Sequence, residues 1–289
     1  MTESKSCFIM GLPAAGKTSY IAALAYSLQQ KKIKTKLQWN TYSGNQQYLA
    51  RLARTWLSVD SVARTSIVSQ QENLSWTLRD NEENEYVVSF PDLSGETFQK
   101  QYADREIEHS LADYVAGSDG IIVFVNPKGI NEPTLISELP LKLRLEADDD
   151  PNKKERSALN DDPTAVQLVQ LLQDIAYLVE GRNIPIAVIV SAWDIVEKIY
   201  SSPELFVKEH LSLLWQYLET NKNIFLLSYF GVSAQGGELE TPAQSEALIE
   251  QYVGNPEQRM YVVDNSGVKS HDLTVPLWEL LNKQMGLMK

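Results

Sequence analysis

Residues 11–18, which read GLPAAGKT, constrain the fold more than any other part of the sequence. They match the pattern GxxxxGK[ST], follow the apolar run Cys7–Met10 and precede a helical pattern over Thr18–Lys31. Glycines let such a loop curl so that successive N–H groups point inward, and the N-terminus of the following helix adds partial positive charge. The segment therefore predicts a phosphate-binding loop (P-loop) between a buried strand and a helix.

The mechanism of this motif assigns roles to its residues. The Lys17 ammonium is expected to bridge the β- and γ-phosphates of a nucleotide, which makes it a catalytic candidate, and the Thr18 hydroxyl is expected to bind Mg²⁺. The residues predicted to contact the bound nucleotide here are Gly11, Ala14, Ala15, Gly16, Lys17, Thr18 and Ser19.

Short apolar runs rich in β-branched residues alternate with helical patterns, which is typical of an α/β fold with a mostly parallel sheet. The predicted strands are Cys7–Met10, Tyr86–Phe90, Gly120–Val125, Ile184–Val190 and Ile224–Leu227. The predicted helices are Thr18–Lys31, Thr97–Val115, Pro163–Glu180, Pro203–Glu219 and Thr274–Met285. Alternation around Trp76 followed by a polar turn adds one antiparallel hairpin at a sheet edge. Together they predict the three-layer sandwich of P-loop NTPases.

The 289 residues show no linker that divides the chain, so we expect one domain over residues 1–289 with two insertions. The first, at about 32–63, is predicted to hold a short strand, Ile33–Trp39, and a helix, Gln46–Leu57. The second, at about 127–162, is rich in aspartate and is either a solvated loop or a partner-binding lid above the site.

Composition excludes several classes of function. The net formal charge of −12 disfavours non-specific binding to nucleic acid and docking to membranes through basic patches. No run of eighteen apolar residues occurs, so we expect no membrane span and a cytoplasmic location. Cys7 is the only cysteine and the three histidines lie far apart, which disfavours an intramolecular disulfide and a zinc site.

The segment after the strand Tyr86–Phe90 reads PDLSGE over residues 91–96 and resembles the DxxG motif of GTPases of the translation-factor and Ras-like class. In such sheets, ligands bind at the carboxyl ends of the strands. The resemblance implies that Asp92 holds Mg²⁺ through water and that the Gly95 N–H contacts the γ-phosphate.

The sequence SAWD over residues 191–194 stands where those GTPases carry [NT]KxD. Asp194 can accept two hydrogen bonds from guanine N1 and N2, a pattern that adenine does not offer. Ser191 is a small hydroxyl substitute, and Ala192 replaces the lysine that packs along the base. Trp193 either covers the base or packs in the core. Ser233-Ala234 resembles the SA motif whose backbone contacts the guanine oxygen.

The first switch is expected between the first helix and the hairpin. Thr65 lies at a spacing before Asp92 similar to that in small GTPases, so we expect it to contact Mg²⁺ and the γ-phosphate. Arg64 is either an internal arginine finger or a surface residue, and Arg105 is a second candidate of the same kind.

Together, GLPAAGKT, ARTS, FPDLSGE, SAWD and VSAQGG, with the late segment HDLTVPLW, are similar to the double-GTPase family of bacterial conflict systems, which serve antiviral defence. The resemblance implies a regulator that depends on Mg²⁺ and on bound GTP or GDP. One P-loop is present, so the second GTPase would be a separate chain or a homodimer mate, and a protein effector is a further expected partner.

Glu96 stands where better-known GTPases carry the glutamine that orients the attacking water. A carboxylate there can act as a general base, but a γ-phosphate repels it unless a cation offsets the charge. We therefore expect a slow GTPase switch or one that needs a partner. A module that binds guanine nucleotide without hydrolysis and an ATP-dependent P-loop enzyme stay open as alternatives.

Overall fold

The computed structural model describes residues 5–43, 46–59, 74–90, 95–134, 137, 157–179, 181–239 and 241–282. Within these ranges, nine strands form one sheet in the order β2-β3-β4-β1-β5-β6-β7-β8-β9. The strands are β1 Lys5–Met10, β2 Gln38–Ser43, β3 Leu74–Arg79, β4 Glu85–Phe90, β5 Gly120–Val125, β6 Ile184–Ser191, β7 Phe225–Ser233, β8 Tyr261–Asp264 and β9 Lys269–Ser270.

Helices cover both faces of the sheet and make it the middle of three layers. They are α1 Lys17–Gln30, α2 Gln46–Leu57, α3 Glu96–Asp104, α4 His109–Gly117, α5 Thr164–Leu178, α6 Pro203–His210, α7 Ser212–Thr220, α8 Pro242–Gln251 and α9 Val275–Asn282. One buried cluster joins the sheet to α1, α2 and α9, and a second joins it to α3 through α7. Burial of apolar side chains on both faces suits the continuous apolar runs of the central strands.

The centre of the sheet is parallel and both sides are antiparallel. β4, β1, β5, β6 and β7 run parallel to their neighbours in this group. The predicted hairpin is confirmed as β3 and β4, and β2 pairs antiparallel outside it. β8 and β9, which the sequence analysis did not anticipate, form a second antiparallel edge beside β7. The predicted α/β class with a mostly parallel sheet is confirmed.

Three predicted elements differ from the structure. The single helix expected over Thr97–Val115 is two helices, because Arg105 adopts a left-handed conformation with φ 58° and ends α3. The helix expected over Pro203–Glu219 is likewise divided, at Leu211, into α6 and α7. The strand of the first insertion is β2, further along the chain than Ile33–Trp39.

Hydrogen bonds tie together the two ends of the second insertion. The Asn131 N–H donates to Thr164 Oγ1 at 2.9 Å, and the Thr164 N–H donates to the Asn131 carbonyl at 2.9 Å. The Asn131 amide also donates to the Asp162 carbonyl at 3.2 Å. Most of the insertion lies outside the described residues, so the choice between solvated loop and lid stays open, and the single-domain organisation stays a prediction.

The late segment HDLTVPLW has a structural role. The Asp272 carboxylate accepts hydrogen bonds from the Lys36 N–H at 2.6 Å and from the Thr274 hydroxyl at 2.6 Å. Thr274 Oγ1 in turn accepts from the Leu37 N–H at 3.1 Å. Burial raises the pKa of Asp272 above its ordinary value, and these donors oppose that rise. The segment fixes the start of the first insertion beside α9.

Gly231 gives a test of core packing on the α3–α7 face of the sheet, because it lies against the ring of Trp193. A Cβ on Gly231 would stand 2.4 Å from Trp193 Cγ. We expect Gly231→Ala to lower the free energy of unfolding by about 1–3 kcal/mol through overpacking, measured by urea denaturation. Gly117→Ala at the end of α4, where a Cβ meets nothing within 4 Å, is the control. Equal stability of the two variants would contradict this account.

Candidate functional site

Parallel pairing brings the carboxyl ends of the central strands to one edge of the sheet. Five segments therefore meet there, since each begins at the last residue of one of these strands or within a few residues after it. They are residues 11–18, 95–96, 126–128, 191–194 and 233–236. This edge is where ligands bind in open α/β sheets.

The P-loop closes against the end of β6. Gly16 has φ 95° and forms the N-cap of α1. A Cβ on Gly16 would lie 2.6 Å from Ser191 Oγ, so only glycine fits between the loop and β6. The structure thus brings residue 191 of the SAWD segment next to the loop.

Lys17 is held inside the curl of the loop. Its side chain is buried, and Nζ donates to the Gly11 carbonyl at 2.6 Å and to the Leu12 carbonyl at 3.2 Å. Thr18 and Ser19 follow in the first turn of α1 and are partly buried. A buried ammonium bound to carbonyl oxygens at a helix N-terminus gives this end of the site the charge that an anion needs.

The start of α3 packs on the same loop. Gly95 has φ 85° and precedes α3, and a Cβ on it would lie 2.6 Å from Leu12 C and 2.6 Å from Pro13 N. The contact places the Gly95 backbone beside the P-loop, where the sequence analysis expects a γ-phosphate. Glu96 is the first residue of α3 and is exposed.

Asp194 and Ser233 form the other end of the site. The Ser233 hydroxyl is hydrogen-bonded to the Asp194 carboxylate, and Ser233 Oγ also accepts from the Gly236 N–H at 3.0 Å. Burial raises the pKa of Asp194, the negative charges of Glu197 and Glu238 raise it further, and the Ser233 hydrogen bond opposes the rise. The carboxylate is therefore positioned and poorly solvated, as a hydrogen-bond acceptor for a ligand should be.

Trp193 is a core residue, which corrects its assignment as a base-binding candidate. The side chain is 2% exposed and packs against Gly231 in the core on the α3–α7 face. Ala192, just before it, has φ 47°. Ala234 is buried, and its carbonyl accepts a hydrogen bond from Trp56 Nε1 at 2.6 Å. The backbone of the SA segment is thus anchored to α2.

Asn126 belongs to the site and was missed from the sequence. It directly follows β5, and its amide donates to the Ala14 carbonyl of the P-loop at 2.9 Å. Its Oδ1 accepts from the Lys128 N–H at 3.0 Å, and Lys128 Nζ lies 2.6 Å from Glu238 Oε1. The position of a polar residue at the end of a predicted central strand was the signal that would have identified it.

Several predicted residues are not placed at the site. Arg64, Thr65 and Asp92 lie outside the described residues. Arg105 lies at the far end of α3, about 15 Å along the helix from Gly95. Its guanidinium stacks on the Tyr102 ring at 4.5 Å, so it is not a phosphate ligand in this arrangement.

The donor set at the phosphate end is compatible with Mg²⁺ bound between protein and phosphate oxygens. Thr18 places its hydroxyl in the first turn of α1, beside the buried Lys17. Within the described part of the chain, no three His, Cys, Asp or Glu side chains form a cluster that would hold a metal by themselves. This fits a hard cation that keeps few protein ligands and takes the rest from phosphate and water.

None of the helices in the described ranges has the length and apolar character that crossing a membrane requires.

The raised pKa of Asp194 predicts that the ionised carboxylate lowers the free energy of unfolding in a pH-dependent way. A carboxyl group whose pKa is raised by folding stabilises the fold at low pH, and that stabilisation is lost as the pH rises through the raised value. Asp194→Asn should therefore be more stable than the parent at neutral pH, with a gap that closes below about pH 4. Urea denaturation of nucleotide-free protein measures the free energy of unfolding of the parent and of the variant. A difference between them that does not change with pH would contradict the raised pKa of Asp194. Asp113→Asn on exposed α4 is the control.

No curated protein matches the sequence. One similar solved structure is the Arl6 BBS3 small GTPase from Trypanosoma brucei with bound GppNp, at 12% identity and a TM-score of 0.39, covering 86% of this chain and 96% of that one. Another is the GTP-bound Ski7 GTPase-like domain of S. cerevisiae, at 12% identity and a TM-score of 0.40, covering 82% and 44%. The family model of Double-GTPase 1 matches residues 8–280, and the chain belongs to this family of GTPases.

Proposed function

We propose that the chain is a GTP-binding molecular switch that binds Mg²⁺-GTP, hydrolyses it slowly and regulates a protein effector. The observation that carries this proposal is the convergence at one sheet edge of two chemically different ends. One end is the P-loop with Lys17 and the Gly95 backbone, and the other is the Asp194–Ser233 pair. A nucleoside triphosphate has the matching polarity, with anionic phosphates at one end and hydrogen-bond donors at the other.

At the phosphate end, the backbone N–H groups of residues 14–19 and the Lys17 ammonium would bind the phosphate oxygens. Thr18 would hold Mg²⁺, together with Thr65 and with Asp92 through water. The cation, when bound, would neutralise charge on the β- and γ-phosphates. The Gly95 N–H would contact the γ-phosphate, which makes the start of α3 sensitive to its loss.

At the base end, guanine presents two donors, N1–H and the N2 amino group, to the Asp194 carboxylate. Adenine presents an acceptor at N1, so an ionised Asp194 would repel it. The Ser233 hydroxyl holds the carboxylate in place, and the Ala234 backbone would contact the guanine oxygen. This chemistry favours GTP over ATP. An ATP-dependent enzyme is therefore the least supported of the candidate functions.

For hydrolysis, Glu96 is the group next to Gly95 that would act on the attacking water, and Arg64 would offset developing charge. A carboxylate close to the γ-phosphate is repelled by it, so turnover would fall below about 1 per second without a partner. The same feature favours a second candidate, a module that binds guanine nucleotide without hydrolysing it.

Family membership supports a partnered mode of action. We propose a cytoplasmic protein of an antiviral defence system whose partner is a protein effector or a second GTPase. The latter would be a separate chain or a homodimer mate. Loops that order on the γ-phosphate would present the surface that this partner reads.

Nucleotide titration tests the binding function. We expect isothermal titration of nucleotide-stripped protein in Mg²⁺ to show tight GTP and GDP binding, weak ATP binding, and no GTP binding by Lys17→Ala. Asp194→Asn should reverse the preference from GTP to xanthosine triphosphate, because the asparagine amide donates to the O2 of xanthine. Asp113→Asn on α4 serves as the unaffected control. Preference of the parent for ATP would overturn the proposal.

Glu96→Gln tests the hydrolytic step. Removal of its charge should raise single-turnover phosphate release by at least about tenfold while GTP affinity stays within a small factor. Glu106→Gln, at an exposed position after α3, is the matched control. Slower release by Glu96→Gln would identify Glu96 as an essential base. No release by either protein would establish the non-hydrolysing module.

A further inference from the structure

Residue 192, which directly follows β6, is an alanine and so has no long side chain. In GTPases that this segment resembles, a lysine stands there and packs along the base. β5 and β7 flank β6 in the sheet, so residues that follow these two strands are the nearest source of a replacement. The turn Pro127–Gly129 directly follows Asn126 at the end of β5.

Asn126 connects this turn to the P-loop. Its amide nitrogen donates to the Ala14 carbonyl at 2.9 Å, and its Oδ1 caps the turn by accepting from the Lys128 N–H at 3.0 Å. One side chain thus fixes both the loop that would bind phosphate and the position of Lys128. Ala14 has φ 61°, and a hydrogen bond to its carbonyl helps to hold that uncommon conformation.

Lys128 reaches from the end of β5 to the segment after β7. Its ammonium lies 2.6 Å from Glu238 Oε1, and the two side chains are 40% and 41% exposed. Because β6 lies between β5 and β7, this ion pair spans the end of β6, where Ala192 and Asp194 follow. The four-carbon stem of a lysine held at its tip in this way presents an apolar surface to a planar ligand.

We infer that Asn126 and Lys128 together replace the lysine that is absent at Ala192: Asn126 positions the P-loop and the Lys128 stem flanks the nucleotide base. This inference rests on the proposed binding of guanine nucleotide. It assigns specificity and positioning roles to a turn that lies outside the P-loop and outside the DxxG, SAWD and SA segments. The ion pair with Glu238 engages the ammonium, which leaves the stem for contact with the base.

The two residues differ in the part of the ligand that they serve, and this gives the test. Binding of GTP and of inorganic tripolyphosphate is measured by competition against a fluorescent guanine nucleotide in Mg²⁺. Lys128→Ala should weaken GTP binding roughly tenfold and leave tripolyphosphate binding unchanged, because tripolyphosphate has no base. Asn126→Ala should weaken both by a similar factor, since the P-loop binds only phosphate.

Rescue and control variants separate this role from simple charge effects. Lys128→Ala/Ala192→Lys should recover GTP affinity to within about threefold of the parent. Lysine carries the same Cβ as alanine, so φ 47° at residue 192 adds no new backbone strain. Lys128→Ala/Glu238→Gln should not recover GTP affinity. The second substitution removes the carboxylate that Lys128→Ala leaves unpaired, but it does not restore a lysine stem beside the base. The matched control is Lys222→Ala. This change breaks the 2.6 Å ion pair between Lys222 and Glu219, which lies just before β7.

The outcomes distinguish this inference from the proposed function. If the parent and Lys222→Ala bind GTP tightly but Lys128→Ala binds it equally well, the inference is overturned and guanine nucleotide binding stands. Recovery by Glu238→Gln would also overturn it, in favour of a purely electrostatic role toward Asp194. If direct isothermal titration shows that the parent binds tripolyphosphate but not GTP, the proposed function fails first. Unchanged melting temperatures establish that the variants are folded.

Discussion

Close backbone contact at two glycines holds the candidate site together. A Cβ on Gly16 would stand 2.6 Å from Ser191 Oγ, and a Cβ on Gly95 would stand 2.6 Å from the backbone of Leu12. The end of β6 and the start of α3 therefore approach the P-loop more closely than residues with side chains allow. Both glycines also have positive φ, so the turn geometry and the close approach impose the same requirement. The parallel sheet brings the segments to one edge, and the glycines let them touch.

A buried cation next to Trp56 supports the base end of the site. Trp56 packs on the α1, α2 and α9 face of the sheet, opposite the face on which Trp193 packs. The Arg259 guanidinium lies 4.0 Å from the Trp56 ring centroid, donates to the Trp56 carbonyl at 2.6 Å and is 1% exposed. Burial lowers the pKa of Arg259 to about 10. Trp56 Nε1 in turn donates to the Ala234 carbonyl. A desolvated cation–π contact contributes about 2 kcal/mol, which offsets part of the cost of burying the charge. The first insertion, through α2, is therefore part of the support of the base end.

The sequence allowed prediction of features that are encoded locally. The P-loop, the central strands and the β3–β4 hairpin follow from short patterns, because strand burial and turn chemistry are read over a few residues. Trp193 was ambiguous because its burial depends on Gly231, which lies in another strand. Asn126 was missed for a similar reason, since its partner at Ala14 is brought close only by the β1–β5 pairing. Residues such as Arg64 lie outside the described ranges and stay predictions.

Under the proposed function, the position of Glu96 would limit hydrolysis by the chain alone. Gly95 fixes the first turn of α3 against the P-loop, and the Tyr102 hydroxyl anchors the same helix to Asp162 at 2.5 Å. The helix N-terminus carries about half a positive charge and offsets only part of one carboxylate. At an effective dielectric of about 20, two unit charges 4 Å apart interact by about 4 kcal/mol, which corresponds to roughly a thousandfold divided between nucleotide affinity and rate. Under the proposed function, fast hydrolysis would therefore need further positive charge at this point, either from Arg64 of the same chain or from a partner.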